Sequence, residues 1–282
     1  MRRAITPSSC APSTGRKRTT VGRCCTTGAA TRSSSVDCEM RLRGTELLDD
    51  PNVDPDVRER SHRDVERSNV LFGGRRAVML AVRPLFDEIV KSTSNRPSST
   101  DHQPRATLLD VGTGLADLPW RAREIARRRG VSLRTVAIDG AFTLIATARH
   151  RLNDAVCGDA LALPFGDRSV DIVLCSQLLH HFDHERALKL IEELDRVARR
   201  RVIVSDLRRS WIAAAGFSLA AVALRFHPVT RHDGPVSVMR GFTEGELGGM
   251  VLTATGVQPA IRKRLGYRLT ASWTPSGGNL TT

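Results

Sequence analysis

The stretch that decides the fold is Leu108-Leu-Asp110-Val-Gly112-Thr-Gly114-Leu-Ala-Asp117. A short apolar run ends on a carboxylate, two glycines follow one residue apart, and an amphipathic run from Leu118 to Arg129 begins at once. Such a run reads as a buried strand, and the glycines let a backbone turn tightly and approach a ligand where a Cβ would clash. Working outward, the same alternation recurs. Strand-like segments fall at Thr107–Val111, Thr135–Ile138, Ala155–Cys157, Asp171–Cys175 and Arg201–Ser205, with helical patterns at Leu118–Arg129, Ala141–Leu152 and His184–Ala198. Short apolar strands alternating with amphipathic helices predict an α/β fold, a parallel sheet covered on both faces.

In an open parallel sheet, ligands bind beyond the carboxyl ends of the strands. The residues there are unusual for turns. Asp139-Gly140 follows the second strand, and its carboxylate suits the hydroxyls of a ribose. Gly158-Asp159-Ala160-Leu161 follows the third, where Asp159 suits an exocyclic amino group and the apolar neighbours a flat ring. Ser176, Gln177 and His180-His181 follow the fourth. A dinucleotide fingerprint wants glycine at position 117. Asp117 there would repel a pyrophosphate and tolerate an ammonium, so the turn favours a cofactor with an amino acid moiety over NAD.

At these residues the chain resembles the class I S-adenosylmethionine-dependent methyltransferases. The resemblance runs from Leu108 to Leu207 through LLDVGTGLADLP, VAIDG, CGDALALPFGDRSVDIVLCSQLLHHF and VIVSDL. The third block is similar to the group that includes ubiquinone and menaquinone biosynthesis methyltransferases. The flanks SxRDVxRxNxLFGG (Ser61 to Gly74) and HPVTRHDGPVSVMRGFT (His227 to Thr243) are similar to methyltransferases of polyketide or quinone pathways, a setting in secondary metabolism. The resemblance implies a Rossmann-like domain with S-adenosylmethionine as cofactor. Asp110, Gly112 and Gly114 would frame its methionine part, Asp139 the ribose, Asp159 and Ala160 the adenine and Ser176 the amino end, with Thr113, Asp117, Gly140 and Gln177 completing the cofactor-binding set. Ala116 stands where the family often has a third glycine, and Arg199-Arg200-Arg201 replaces a common Pro-Gly-Gly.

The implied reaction is methyl transfer by in-line displacement to oxygen or carbon of a small apolar or aromatic acceptor of quinone or polyketide type. Imidazole titrates near neutrality, so His181 or His180 is the candidate base, with His232-Asp233 a rival pair. Both histidines also read as loop-orienting groups. The alternatives are an RNA or protein methyltransferase and a non-catalytic cofactor-binding homologue. An Asn-Pro-Pro-Tyr type motif of amino-group methylation is absent after the fourth strand, where Ser176-Gln177-Leu178-Leu179 stands.

Length and composition set the frame. The 282 residues are 40% hydrophobic and carry 43 Lys and Arg against 30 Asp and Glu, a formal net charge of +13. That charge suits polyanions, but clusters such as Arg127–Arg129 and Arg199–Arg201 read as helix C-termini offsetting the dipole. No nucleic-acid partner is expected; the expected partner is the small acceptor, and peripheral membrane contact is compatible with the charge. The six cysteines show no zinc-site spacing, so no metal is expected. No apolar run is long enough to span a bilayer, and a cytoplasmic location is expected.

The expected organisation is a disordered basic leader over 1–45, N-terminal helices acting as a lid over 46–95, the catalytic domain over 104–275 with an insertion at 206–242, and a disordered tail over 276–282. The leader, with seven basic and two acidic residues before Met40, reads equally as a transit peptide or as sequence upstream of a true start near Met40. Trp211–Phe226 reads either as a lid over a hydrophobic substrate or as a core helix. Thr243 and Glu246 predict a capping box, and Val257–Trp273 predicts an antiparallel edge hairpin.

Overall fold

A computed structural model describes residues 44–50, 52–94 and 103–277. The expectations for the leader before residue 44 and for the last five residues lie outside the described residues. The strands are β1 (Arg105–Val111), β2 (Ser132–Asp139), β3 (Asp154–Cys157), β4 (Val170–Ser176), β5 (Ala198–Leu207), β6 (Ala260–Arg264) and β7 (Arg268–Trp273). They form one sheet in the order β3-β2-β1-β4-β5-β7-β6. The first five are mutually parallel, while β7 pairs antiparallel with both β5 and β6. The predicted hairpin is therefore present, with β7 inserted next to β5 and β6 alone at the edge.

The helices are α1 (Pro55–Leu71), α2 (Gly74–Ser94), α3 (Asp117–Arg128), α4 (Phe142–Ala148), α5 (His184–Val197), α6 (Trp211–Ala223), α7 (Pro228–Arg240) and α8 (Glu244–Thr255). Each face of the sheet has its own core. On one face α5 and α8 bury Leu190, Ile191, Leu194, Leu247 and Val251 against Leu109, Val173 and Val204. On the other, α2 and α3 bury Val82, Phe86, Ile89, Ala122 and Ile125 against Leu108, Ile172 and Ile203. Burial of each large side chain contributes roughly 1.5–3 kcal/mol, so α2 is anchored to the sheet. That corrects the expectation of a lid over 46–95, because α2 is a structural layer.

α1 behaves differently. Asp54 caps it, accepting hydrogen bonds from Asp56 N and Val57 N with Pro55 in the first turn. Its buried residues are polar: Ser61, Asp64, Ser68 and Asn69. A helix with a polar buried face is not packed for core stability; this one leans over the strand ends. Its exit, Phe72-Gly73-Gly74, lies against the β6–β7 loop so closely that a Cβ on Gly266 would sit 1.7 Å from the Phe72 carbonyl oxygen.

Two further expectations are adjusted and two hold. Arg199–Arg201 do not end a helix, because β5 begins at Ala198; Arg199 and Arg200 instead pair with Asp171, and Arg201 with Glu88, at the amino ends of the strands. Arg127 and Arg128 do sit in the last turn of α3. α6 is not a core helix, since Trp211 and Leu219 are 73% and 76% exposed. The expected capping box opens α8, with Thr243 and Glu246 bonding reciprocally. Among the described residues, no helix is long and apolar enough to cross a membrane.

Candidate active site

The parallel register brings the ends of β1, β2, β3 and β4 side by side, pairing Val111 with Ile138, Asp139 with Cys157 and Val111 with Cys175. At the centre is the glycine turn. Gly112 donates its N–H to the Ile138 carbonyl at 2.9 Å and has φ +72°; a Cβ there would meet Leu178 Cδ2 at 2.8 Å. Gly114 donates to Asp139 Oδ2 at 2.9 Å, and Ala141 N donates to Asp139 Oδ1 at 2.9 Å. Asp139 thus ties the first turn to the second. Each of its oxygens keeps a lone pair for a ligand.

Asp110 is 2% exposed and accepts a 2.7 Å hydrogen bond from Thr113 Oγ1. Burial pushes its carboxyl up to about 8, the nearby Asp117 and Asp139 charges pushing the same way against Thr113. Asp117 is buried in the first turn of α3. Burial and Glu66 push it up to about 6, against the pull of Arg75, whose Nε lies 3.3 Å away. Its carboxylate is engaged by the chain's own cation. Asp159 is exposed and accepts from Leu161 N with one oxygen, beside Ala160. Gly140 is open, since a Cβ there would meet nothing nearer than the Gly158 carbonyl at 3.9 Å.

His62, from α1, was missed by sequence reasoning. A Cβ on Gly114 would lie 3.2 Å from its Nδ1. Burial lowers its pKa, as do Arg58 and His181, against Asp139. It therefore roofs the glycine turn between the Asp139 carboxylate and the histidine pair. The signal was available in Ser61–Gly74, but nothing there says which side of α1 faces the turn.

The histidine pair is held by carboxylates. His180 Nδ1 lies 2.7 Å from Asp206 Oδ1, and His181 Nδ1 lies 2.7 Å from Asp49 Oδ1. Burial lowers the His181 pKa, but the Asp49 hydrogen bond and the charges of Glu46, Asp49 and Asp206 outweigh it and raise it overall. Burial likewise raises Asp206, and His180 more than reverses this, leaving it below the usual carboxylate range. Arg240 Nη1 lies 3.2 Å from Glu46 Oε1 and 2.8 Å from Asp49 Oδ2. Glu46, His180 and His181 bring one ligand atom each within 4.8 Å of one another. Arg240 already supplies the cation there, and both Nδ1 atoms are engaged, so this is an ion-pair network rather than a metal cage. His232 does pair with Asp233 at 2.8 Å, but Asp233 also accepts from the N–H groups of Leu47 and Leu48. That rival pair fastens the 3₁₀ turn Leu47–Asp49 to α7.

Beside these turns lies a cavity of about 480 Å³ under α1, α6 and α7. Val65, Phe72, Leu207, Ile212, Phe217 and Val238 make its walls largely apolar, and Gln177, Glu46 and Arg268 also reach it. Neither His180 nor His181 lines it; Glu46 stands between them and it. Gln177 has φ +54°, a left-handed conformation rare outside glycine and common at functional loops. Its side chain bridges α1 and β7, its Nε2 donating to Asn69 Oδ1 at 2.6 Å and its Oε1 accepting from Arg268 Nη1 at 2.5 Å.

Residues 109–204 match the family model described as a methyltransferase domain. This part of the chain is a methyltransferase domain. The matched residues run from within β1 to within β5 with the turns that follow the first four strands, and so contain the cofactor residues read from the sequence together with His180 and His181, but not the rival pair His232–Asp233. An uncharacterized methyltransferase of Schizosaccharomyces pombe is 31% identical over 88 residues, 30% of this chain. The match spans about a third (33%) of that protein's length. Two solved structures are similar at low identity. One is magnesium protoporphyrin IX methyltransferase from Synechocystis with bound S-adenosylhomocysteine, at 16% identity and TM-score 0.48 over 86% of this chain and 95% of that one. The other is a possible histamine N-methyltransferase from Thermotoga maritima, at 13% and 0.49 over 78% and 98%. The segments outside the methyltransferase domain match, Glu46 to Gly74 and Leu207 to Arg240, supply most of the cavity wall.

Proposed function

We propose that the chain is an S-adenosylmethionine-dependent methyltransferase whose acceptor is a small, largely apolar molecule, methylated at oxygen or carbon. The observation that carries this reading is the apolar cavity of about 480 Å³ that meets the strand-end turns at Gln177. Its size is that of a small-molecule site, with mostly apolar walls and few polar groups.

The turns fit the cofactor. Open space at Gly140, spare lone pairs on Asp139, an uncommitted oxygen on Asp159 beside Ala160, and the glycine backbone at Gly112 to Gly114 are suited to ribose, adenine and methionine respectively. S-adenosylmethionine supplies an electrophilic methyl group on a sulfonium when bound. Asp110 and Thr113, with Ser176, face the methionine end in this reading, and His62 closes the roof against water. Asp117, engaged by Arg75, orders the start of α3 and reaches the cofactor only through that network. The acceptor's proton passes to the carboxylate–imidazole network that Glu46 presents at the cavity wall. His180, oriented by Asp206, and His181, oriented by Asp49, stand behind it as positioning residues.

Two measurements test this. Calorimetric titration should show binding of S-adenosylhomocysteine and none of NAD. Transfer of labelled methyl from S-adenosylmethionine into a cell extract, with mass identification, should label a small organic product. No affinity for S-adenosylmethionine or its demethylated product overturns the assignment, and label confined to RNA overturns the acceptor class.

A further inference from the structure

We infer that the acceptor carries an anionic oxygen, a carboxylate or a phenolate, on its apolar body, and that Arg268 is the group that receives it. This deepens the preceding proposal and rests on its reading of the cavity as the acceptor site.

Arg268 opens β7 and is fixed by backbone pairing to Leu207 of β5. It lines the cavity and is only 4% exposed. Its partners are two neutral amide oxygens: Nη1 donates to Gln177 Oε1 at 2.5 Å and Nη2 to Asn69 Oδ1 at 3.4 Å. Its Nε is buried and has no partner. Among the described residues, no carboxylate lies within 4.0 Å of the guanidinium. Arg240, the neighbouring buried arginine, makes the contrast plain, since Glu46 and Asp49 sit 3.2 and 2.8 Å from it.

A buried cation without a counterion carries a heavy desolvation cost. Burial pushes the Arg268 guanidinium down to about 10, with the more distant Asp206 only partly opposing it. The amino end of α2 adds to the imbalance, because a Cβ on Gly74 would sit 3.4 Å from Arg268 Cζ, and a helix N-terminus disfavours a cation. The carboxylates on the same wall are already committed. Glu46 is held by Arg240, and Asp233 by Leu47 N, Leu48 N and His232. Thr230 Oγ1, also buried and on the cavity wall, lacks a partner too. What the cavity leaves uncompensated is therefore a positive charge and a hydroxyl, surrounded by Val65, Phe72, Phe217 and Val238. An aromatic or alkyl body bearing one acidic oxygen answers the charge.

The test uses two probes of equal size, 4-pentylbenzoate and 4-pentylbenzyl alcohol, titrated calorimetrically into the full chain, with S-adenosylhomocysteine titrated separately. A charge-assisted hydrogen bond in this setting corresponds to a preference for the benzoate of roughly 10- to 100-fold. Arg268→Gln should erase that preference while leaving the alcohol's affinity unchanged. In the unaltered protein, the Nε–H resonance of Arg268 should shift on adding the benzoate and stay put with the alcohol, a readout that needs no variant to fold. Equal binding of the two probes, binding of neither, a preference that survives Arg268→Gln, or an unmoved Nε–H signal overturns the inference. Failure of S-adenosylhomocysteine to bind beside a strong benzoate preference removes the methyltransferase reading alone. Its binding beside equal probe affinities removes the anion site alone.

Discussion

Replacing Asp110 by Asn should stabilise the protein, and by more at neutral than at acid pH. The Asp110 carboxyl is raised by burial from 3.8 to about 8. Because its folded value lies above its unfolded one, the native state holds the proton more tightly than the unfolded chain. Stability contributed by the neutral acid is therefore fully present below about pH 4 and is lost as pH rises towards 8. For that shift, linkage gives a cost of about 2 kcal/mol at pH 5 and about 5 kcal/mol at pH 7.5. The amide is neutral throughout and still accepts from Thr113 Oγ1. Its advantage should therefore grow between these pH values by up to about 3 kcal/mol, and relaxation of the glycine turn around the charge brings the expected growth nearer 1–2 kcal/mol. Urea unfolding of both proteins at the two pH values, with unchanged slopes, measures this. The same variant should bind S-adenosylhomocysteine more weakly, since the replaced carboxyl faces the turn. A variant that is less stable at pH 7.5, or whose advantage does not change with pH, refutes the claim that Asp110 is an uncompensated buried carboxyl.

Two other substitutions probe the frame around the site. Ala116 caps α3 with φ +57°, where an L side chain costs about 1–2 kcal/mol relative to glycine, so Ala116→Gly should raise thermal stability by about 1 kcal/mol after the added chain entropy; a lower Tm argues against that conformation. Arg240→Gln removes the cation shared by Glu46 and Asp49 and should destabilise by about 3 kcal/mol. In the parent protein Asp49 is held at about 2 by His181 and Arg240 against burial, so its stabilising share is present above pH 3.8 and is lost as pH falls towards 2. The deficit of Arg240→Gln should consequently shrink in acid, and a deficit independent of pH between about 2 and 6 contradicts the pairing.

The readings that survive contact with the structure are those in which neighbouring residues determine the outcome. A short apolar strand, a helix of period 3.6 and a glycine turn between them are local, so Leu108–Asp117 announced β1, its turn and α3. The order of strand-end carboxylates, Asp110, Asp139 and Asp159, was legible for the same reason, because parallel strands place consecutive ends along one edge. Where sequence reading went astray, a competing tertiary effect won. Arg199–Arg201 look like a helix terminus until Asp171 on the adjacent strand draws two of them into β5. Trp211–Ala223, which composition leaves open between a lid and a core helix, lies at the surface with one side over the cavity, a choice only tertiary packing makes.

The cavity side was illegible for a deeper reason. Its wall joins Glu46, Ser68, Gln177, Thr230 and Arg268, which no period links and which meet only when α1, α7 and the β6–β7 hairpin converge on the end of β4. Arg268 in particular reads in sequence as one more cation in a chain with many. What distinguishes it is a subtraction made in three dimensions, because ion pairs account for Arg75, Arg151, Arg196, Arg199, Arg209 and Arg240. Among the described residues, ion-paired arginines hold the scaffold, whereas Arg268, buried beside an apolar cavity, has no carboxylate within 4.0 Å to answer its charge. On the proposal above, the selectivity of the site rests on that imbalance rather than on the overall charge, and its ligand is a small acid rather than a polyanion.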